Sequence, residues 1–263
     1  VRVSWARRCV LETGRYVLET VESLGHLVIF FSKAISHCFK PPYFYQLILK
    51  QVIDIGYYSL PVVGLTTLFS GMVLALQSYN GFARFSSESA VATVVALSIT
   101  RELGPVLAGL MVTGRVGSSI AAELGSMKVS DQVDALKILG TNPFDYLIAP
   151  RIIACIVCLP ILVLIGDIIG VFGGFLVGVY KLNFNASTYL YQTVSYLEPM
   201  DIASGLIKAS IFGLLLGIMG CFHGYNCSRG AQGVGLATTN AVVSGCILIL
   251  IFNYLVTELF FSS

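Results

Sequence analysis

Residues 100–154 read TRELGPVLAGLMVTGRVGSSIAAELGSMKVSDQVDALKILGTNPFDYLIAPRIIA. An oily run that carries Arg101 and Glu102 side by side, then Gly104-Pro105, gives way to a polar stretch, and a second oily run begins near 152. The same texture extends over the whole chain of 263 residues, of which 56% are hydrophobic and only 11% charged. An ordinary soluble domain holds roughly 25% charged residues. The composition is that of a membrane protein built from helices.

A bilayer core takes about 20 mostly apolar residues per helical crossing. Five stretches meet that length: 52–76, 89–114, 152–180, 202–222 and 236–258. Of the sixteen Lys and Arg, twelve lie in the amino-terminal segment, in the connection 115–151 and near 229, while only Arg84 and Lys181 lie in the opposite loops. The excess of cations on one side predicts a cytoplasmic amino terminus and, after five crossings, an external carboxyl terminus. The first ten residues lack the pattern of a secretory signal, so no cleaved presequence is expected. A net charge of +2, without a basic and aromatic cluster, names no nucleic-acid partner.

None of the seven cysteines falls in an external loop, so no structural disulfide is expected. Cys155-x-x-Cys158 lies within the third span without a second pair or a nearby histidine, and reads as small apolar helix residues. No metal site is expected.

Residues 1–45 are expected to form an amphipathic interfacial segment, with a soluble helical cap as the alternative, since Trp5, Val10, Leu11, Val17, Leu18, Val21, Leu24, Leu27 and Val28 recur at helical spacing among arginines. Pro41-Pro42 ends it, and Tyr43, Phe44 and Tyr45 suit headgroup depth. Residues 46–263 form the membrane domain. In the polar stretch, Ser130 is an N-cap residue, Asp131 and Asp134 suit the positive end of a helix, Lys137 suits its negative end and Gly140 closes it. A short helix over 131–139 is expected, its apolar side made by Val133, Leu136 and Ile138 or Leu139. Between the third and fourth spans a surface helix is expected within 181–199. Asn185-Ala186-Ser187 is a chance acceptor pattern, and the glycine-rich 229–240 reads as a flexible turn without a phosphate-binding motif.

Arg101 and Glu102 lie about 18 Å along a span that starts at 89, at 1.5 Å per residue. A mid-membrane charge costs about 2.5–3.5 kcal/mol or more, so both side chains should face protein or water. Neighbours on a helix point about 100° apart, so each needs a partner elsewhere. Pro105 lacks an N–H and leaves the carbonyl of Arg101 without its helical bond, which should kink or open the helix there. Asp54, Asp167 and Lys208 are the available partners, with Lys208 near enough to the outer end of its span to snorkel. Gly104, Ala108, Gly109, Gly114, Gly117 and Ala121 form a small-residue packing face, which a second copy of the chain can cover.

The chain carries no ATP-binding or hydrolase motif, so an engine must come from another subunit. The stretch 100–154 closely resembles the signature region of the MlaE (YrbE) permease family, and the resemblance continues through LPILVLIGDIIGVFGGFLVG, 159–178, and LIKASIFGLLLGIMGCFHGY, 206–225. The resemblance implies the membrane subunit of an ABC transporter that moves phospholipids or related lipids between a bacterial inner and outer membrane. It implies a second copy of the chain around a lipid cavity, an ATPase subunit on the cytoplasmic face and an MCE-domain periplasmic protein outside. The chain itself would bind no cofactor and catalyse nothing, with ATP used by the partner. Arg101, Glu102, Pro105 and Asp167 would then line the lipid path or form its charge network. The short helix would be the coupling helix, with Glu123, Lys128, Asp131, Asp134 and Lys137 in contact with the ATPase or supporting that contact. Two other readings are an ATP-independent ion or solute channel and a membrane anchor for an MCE-domain protein.

Overall fold

The computed structural model describes residues 21–22, 25–40, 44–82 and 90–261. The expectations for residues 1–20, for Leu24, for Pro41, Pro42 and Tyr43, and for Arg84 lie outside the described residues. Eight helices account for the regular structure among those described: α1 over 25–38, α2 Tyr45–Phe82, α3 Ala90–Val129, α4 Gln132–Ile138, α5 Phe144–Tyr180, α6 Ala186–Tyr196, α7 Pro199–Tyr225 and α8 Ala231–Phe261. α2, α3, α5, α7 and α8 are long and apolar enough to cross a membrane. They alternate in direction, so that α3 and α7 begin at the end of the bundle where α2, α5 and α8 finish.

The crossings are longer than the apolar runs suggested. α3 continues to Val129 instead of stopping at 114, because Arg115 finds acceptors on α2 and need not leave the bundle. α8 begins at Ala231, so most of the glycine-rich stretch is its first turns and only 226–230 connects the helices. Close contact offsets the poor helix propensity of glycine there. A Cβ on Gly233 would strike the Ser228 carbonyl, and Val234 packs where Gly125 leaves room.

Small residues set the spacing of the bundle. α2 and α5 share its most extensive interface, where Gly71 meets the Gly170 backbone with no room for a side chain between them. α7 approaches its neighbours in the same way, Gly213 against the Cys155 carbonyl of α5 and Gly224 against Ala121 of α3. Such steps let helix backbones close on one another where lipid offers no hydrophobic drive. The small-residue face of α3 is therefore covered largely from within the chain: Gly104 by Asp167, Gly109 by Phe212 and Ile249, Ala121 by α7. Gly114 alone of that set has open space beside it and lies exposed. Cys155 and Cys158 are buried packing residues on α5, the first beside Gly213 and Gly217 and the second beside Gly56.

α1 docks by one edge. Phe30 and Ala34 are buried, and the Phe30 ring meets Phe144, Phe222 and Tyr225 where α5 begins and α7 ends. His37 Nδ1 lies 2.6 Å from Asp145 Oδ1 on the first turn of α5. Val28 and Ile29 stay exposed on the other side. At the far end of the bundle, α6 lays Tyr189 into a notch cut by Gly174 and Gly178. The Asn185 side chain caps α6 by accepting from the Ser187 and Thr188 amides, which explains the chance acceptor pattern.

α4 is the short helix expected between the second and third crossings, but Ser130 does not cap it. The Ser130 hydroxyl donates back to the Ser126 carbonyl, and Asp131 stands at the N-cap in a left-handed conformation with φ 57. The other end obeys the expected chemistry. Gly140 takes φ 76, its N–H bonds to the Lys137 carbonyl, and the Thr141 N–H reaches Leu136, which together close the helix in a Schellman turn.

Candidate functional site

α3 departs from regular winding twice, over Ile99–Leu103 and Thr113–Gly117, where the bonds skip five residues instead of four. Single π turns of this kind collect at functional positions. The first holds Arg101 and Glu102 and ends as the Gly104 N–H donates to the Ile99 carbonyl. Pro105 comes next, in the opening turn of the regular helix, where its missing N–H does least harm.

The carbonyl that Pro105 cannot serve is satisfied from another helix. Lys208 of α7 donates from Nζ to the Arg101 carbonyl at 2.9 Å and to Glu102 Oε1 at 2.7 Å. Lys208 is completely buried, so it does not snorkel; it spends its length reaching across to α3. Glu102 also accepts from Asn253 Nδ2 at 3.1 Å and Thr257 Oγ1 at 2.9 Å, both on α8. Arg101 turns the other way. Its Nε and Nη2 each lie 2.6 Å from Asp201 Oδ1, and Asp201 Oδ2 accepts the Glu198 N–H at the start of α7. Asp201 thus fixes the guanidinium and closes a capping box at once.

Two ion pairs therefore tie α3 to α7, and the carboxylate of Glu102 ties both to α8. In each pair one partner is sealed and the other is open: Lys208 and Asp201 side chains are 0% and 1% exposed, whereas Glu102 and Arg101 are each 36% exposed. The arrangement presents one anion and one cation, held from behind, on a surface otherwise made of apolar helices. Residue counts place Glu102, Lys208 and Asn253 about 12–18 Å from the end where α3 and α7 begin, at 1.5 Å per residue.

Asp201, Asn253 and Thr257 were not legible as site residues. Asp201 sits just before the apolar run that defined the fourth crossing, and Asn253 and Thr257 are a four-residue step in a run of Leu, Ile and Phe, the only signal that pointed to them. Asp167 lies next to the network without joining it by a hydrogen bond among the described residues. Its carboxyl packs against Gly104, so closely that a Cβ at 104 would collide with it, and Oδ1 is buried without a partner among the described residues. Asp54 is on the opposite half of the bundle, where its backbone carbonyl accepts from Arg115.

The residues expected to meet an ATPase divide between two places. Asp134 on α4 pairs with Lys137 at 2.8 Å and with Lys128, the last basic residue of α3, at 3.2 Å. These cations hold the Asp134 carboxyl below its usual value, the bond from Lys137 contributing most, and Asp134 in turn raises the Lys137 ammonium. Glu123 is not on α4; it lies on α3 and bonds to the buried Arg151 of α5 at 3.0 Å. Asp131 is spent on the left-handed turn that starts α4. Of the apolar side of α4, Val133 is buried, but Ile138 and Leu139 are 87% and 77% exposed at the tip.

A family model described as Permease MlaE matches residues 48–259. A probable ABC transporter permease protein of Rickettsia bellii is 60% identical over 248 residues, covering 94% of this chain and 96% of that one. The intermembrane phospholipid transport system permease protein MlaE of Haemophilus influenzae is 36% identical over 222 residues, covering 83% and 84%. The chloroplastic protein TRIGALACTOSYLDIACYLGLYCEROL 1 of Arabidopsis thaliana is 38% identical over 213 residues, covering 81% of this chain and 61% of that one.

Proposed function

Because the chain belongs to the MlaE permease family, we propose that it is the membrane-spanning subunit of an ABC transporter that carries phospholipids or related lipids between two membranes. The observation that carries the reading is the half-open ion network. A zwitterionic or anionic headgroup needs a cation and an anion of fixed position within an apolar wall, and Arg101 and Glu102 offer that pair while Asp201 and Lys208 hold both in place. A channel would instead need polar groups along its length, and between this network and Thr113 the residues of α3 are small or apolar.

The partners are inferred from the surfaces. Ile138 and Leu139 project from α4 beside the Asp134 ion pairs, an apolar tip with a polar rim that suits the groove of an ATPase subunit. α2 and α8 are the least enclosed crossings, which leaves faces for a second copy and for lipid. An MCE-domain protein would meet the external end, and the membrane would be a bacterial inner one.

The complex purified with its ATPase and placed in vesicles should move a fluorescent phospholipid to acceptor vesicles only with ATP. Arg101→Ala and Glu102→Ala should each reduce transfer while the complex still assembles. Normal transfer by both variants would overturn the assignment of the site, and ion flux without ATP would overturn the transporter.

A further inference from the structure

The second π turn of α3, Thr113–Gly117, also carries an arginine, about 21 Å along the helix from Arg101 at 1.5 Å per residue. Arg115 opens on a cavity of about 440 Å³ lined by Gln51, Asp54, Tyr58, Arg115, Ser119 and Glu123, among others. A second cavity, of about 320 Å³, shares Gln51, Asp54 and Glu123 with the first and is lined in addition by Lys50 and Arg151. Together they make a polar groove between α2, α3 and α5, at the end of the bundle opposite the first network.

The charges in this groove do not cancel. Arg151 and Glu123 satisfy one another at 3.0 Å. Arg115 has only neutral acceptors among the described residues: the Ser59 hydroxyl at 2.7 Å and the Asp54 carbonyl at 3.3 and 3.5 Å, with the Tyr58 ring 5.7 Å from the guanidinium carbon. The Lys50 ammonium and the Asp54 carboxylate have no ion partner among the described residues. Arg151 is 5% exposed and its Nε, on the wall of the second cavity, has no acceptor among them either. A guanidinium about 20 Å from the end of a helix long and apolar enough to cross a membrane is costly without an anion. Two unpaired cations and one unpaired carboxylate leave the groove short of one negative charge.

We infer that this groove binds a phosphodiester headgroup, the phosphate on Arg115 and any headgroup amine on Asp54. Guanidinium binds phosphate by paired, charge-assisted bonds, which distinguishes it from a mere helix pin. The site rests on the lipid-transport reading and adds a second station to it, in the leaflet opposite Arg101 and Glu102. A lipid headgroup and a soluble phosphodiester share this chemistry, and the lipid is favoured because the groove is walled by membrane-crossing helices.

The full-length protein in detergent is labelled with a phosphatidylethanolamine that carries a photoreactive headgroup, and labelled peptides are mapped. Labelling is expected at 47–58 and 115–127 as well as near Arg101. Arg115→Gln should reduce the groove labelling by roughly tenfold or more, what one lost charge-assisted hydrogen bond gives, and leave the Arg101 region labelled. Arg115→Lys should restore part of it. Ser59→Ala, which removes the pin and keeps the charge, should leave labelling largely intact. Equal losses in Ser59→Ala and Arg115→Gln would show a pin and overturn the site. Labelling confined to the Arg101 region would also overturn it and leave the transport reading standing, whereas no labelling anywhere would remove both. Competition by glycerophosphoethanolamine as strong as by the lipid would overturn the lipid as the source.

Discussion

The asymmetry of the Glu102–Lys208 pair makes a sharp prediction. Glu102→Gln leaves a fully buried ammonium without its carboxylate, whereas Lys208→Met leaves a carboxylate that is 36% exposed and still accepts from Asn253 and Thr257. Breaking a buried pair by removing one partner costs about 3–5 kcal/mol. Solvent at Glu102 and the bond that Lys208 retains to the Arg101 carbonyl reduce this to about 2–4 kcal/mol for Glu102→Gln. Lys208→Met should cost less, about 1–2 kcal/mol, the loss of a donor to one buried carbonyl and to a carboxylate with other partners. In Glu102→Gln/Lys208→Met no ammonium is stranded, so the double variant should be at least about 1 kcal/mol more stable than the sum of the singles. Unfolding by SDS titration in mixed micelles, followed by circular dichroism, measures all three. If the effects add, or if Lys208→Met is the worse single change, the pair is not the buried, one-sided unit described here. The same double variant separates support from transport: a stable, assembled complex that fails to transfer lipid assigns the charges to function, and one that transfers normally confines them to holding the helices.

The packing and the remaining charges have further consequences. Gly104→Ala drives a methyl into the Asp167 carboxyl and should destabilise by about 1–3 kcal/mol, while Gly114→Ala has open space and should be neutral or stabilising by up to about 1 kcal/mol; the same SDS titration compares them. Ile138→Asp with Leu139→Asp changes only exposed side chains, so the isolated permease should keep its unfolding midpoint and lose copurification with the ATPase. The Asp134 carboxyl should titrate below a free aspartate, since Lys137 and Lys128 favour its charged form. Its pKa is depressed by folding, so the pairing is complete above the ordinary aspartate range and is lost as pH falls through the lower folded value. The carboxyl carbon shift in NMR reports the midpoint, which Lys137→Met should raise; a midpoint at or above that of free aspartate would refute the pairing.

Sequence alone came close to the site because a few physical rules act on single residues. An unpaired charge in an apolar run demands a partner, and a proline frees a carbonyl four residues back. Both demands concerned the turn at Arg101, and Lys208 answers the carbonyl and the carboxylate with one ammonium. The partner of Arg101 was out of reach for a different reason. Asp201 belongs to the capping box of α7, and the polar start of a helix looks the same in sequence whether or not its carboxylate is also bound to an arginine from another crossing. Helix lengths were underestimated where a charge or a run of glycines seemed to end a crossing, since neither Arg115 nor Gly233 shows from its neighbours in sequence which surface it will meet.

The same blindness explains why the two π turns of α3 were not anticipated, and it bears on the shape of that helix. Each turn inserts one residue into the helical register, which rotates the remainder of α3 by about 100° relative to a regular helix. Without the first insertion, Arg101 and Glu102 would not point to α7 and α8 while Gly104 still faces Asp167. Without the second, Arg115 would not turn to Ser59 while Val116 and Ile120 stay in the core. The bonds of Arg101 and Glu102 to Asp201, Lys208, Asn253 and Thr257 start from the first turn, so the charge network and the geometry of α3 are set by the same contacts. α3 thus runs unbroken from these charges, through both π turns, to the turn that precedes α4.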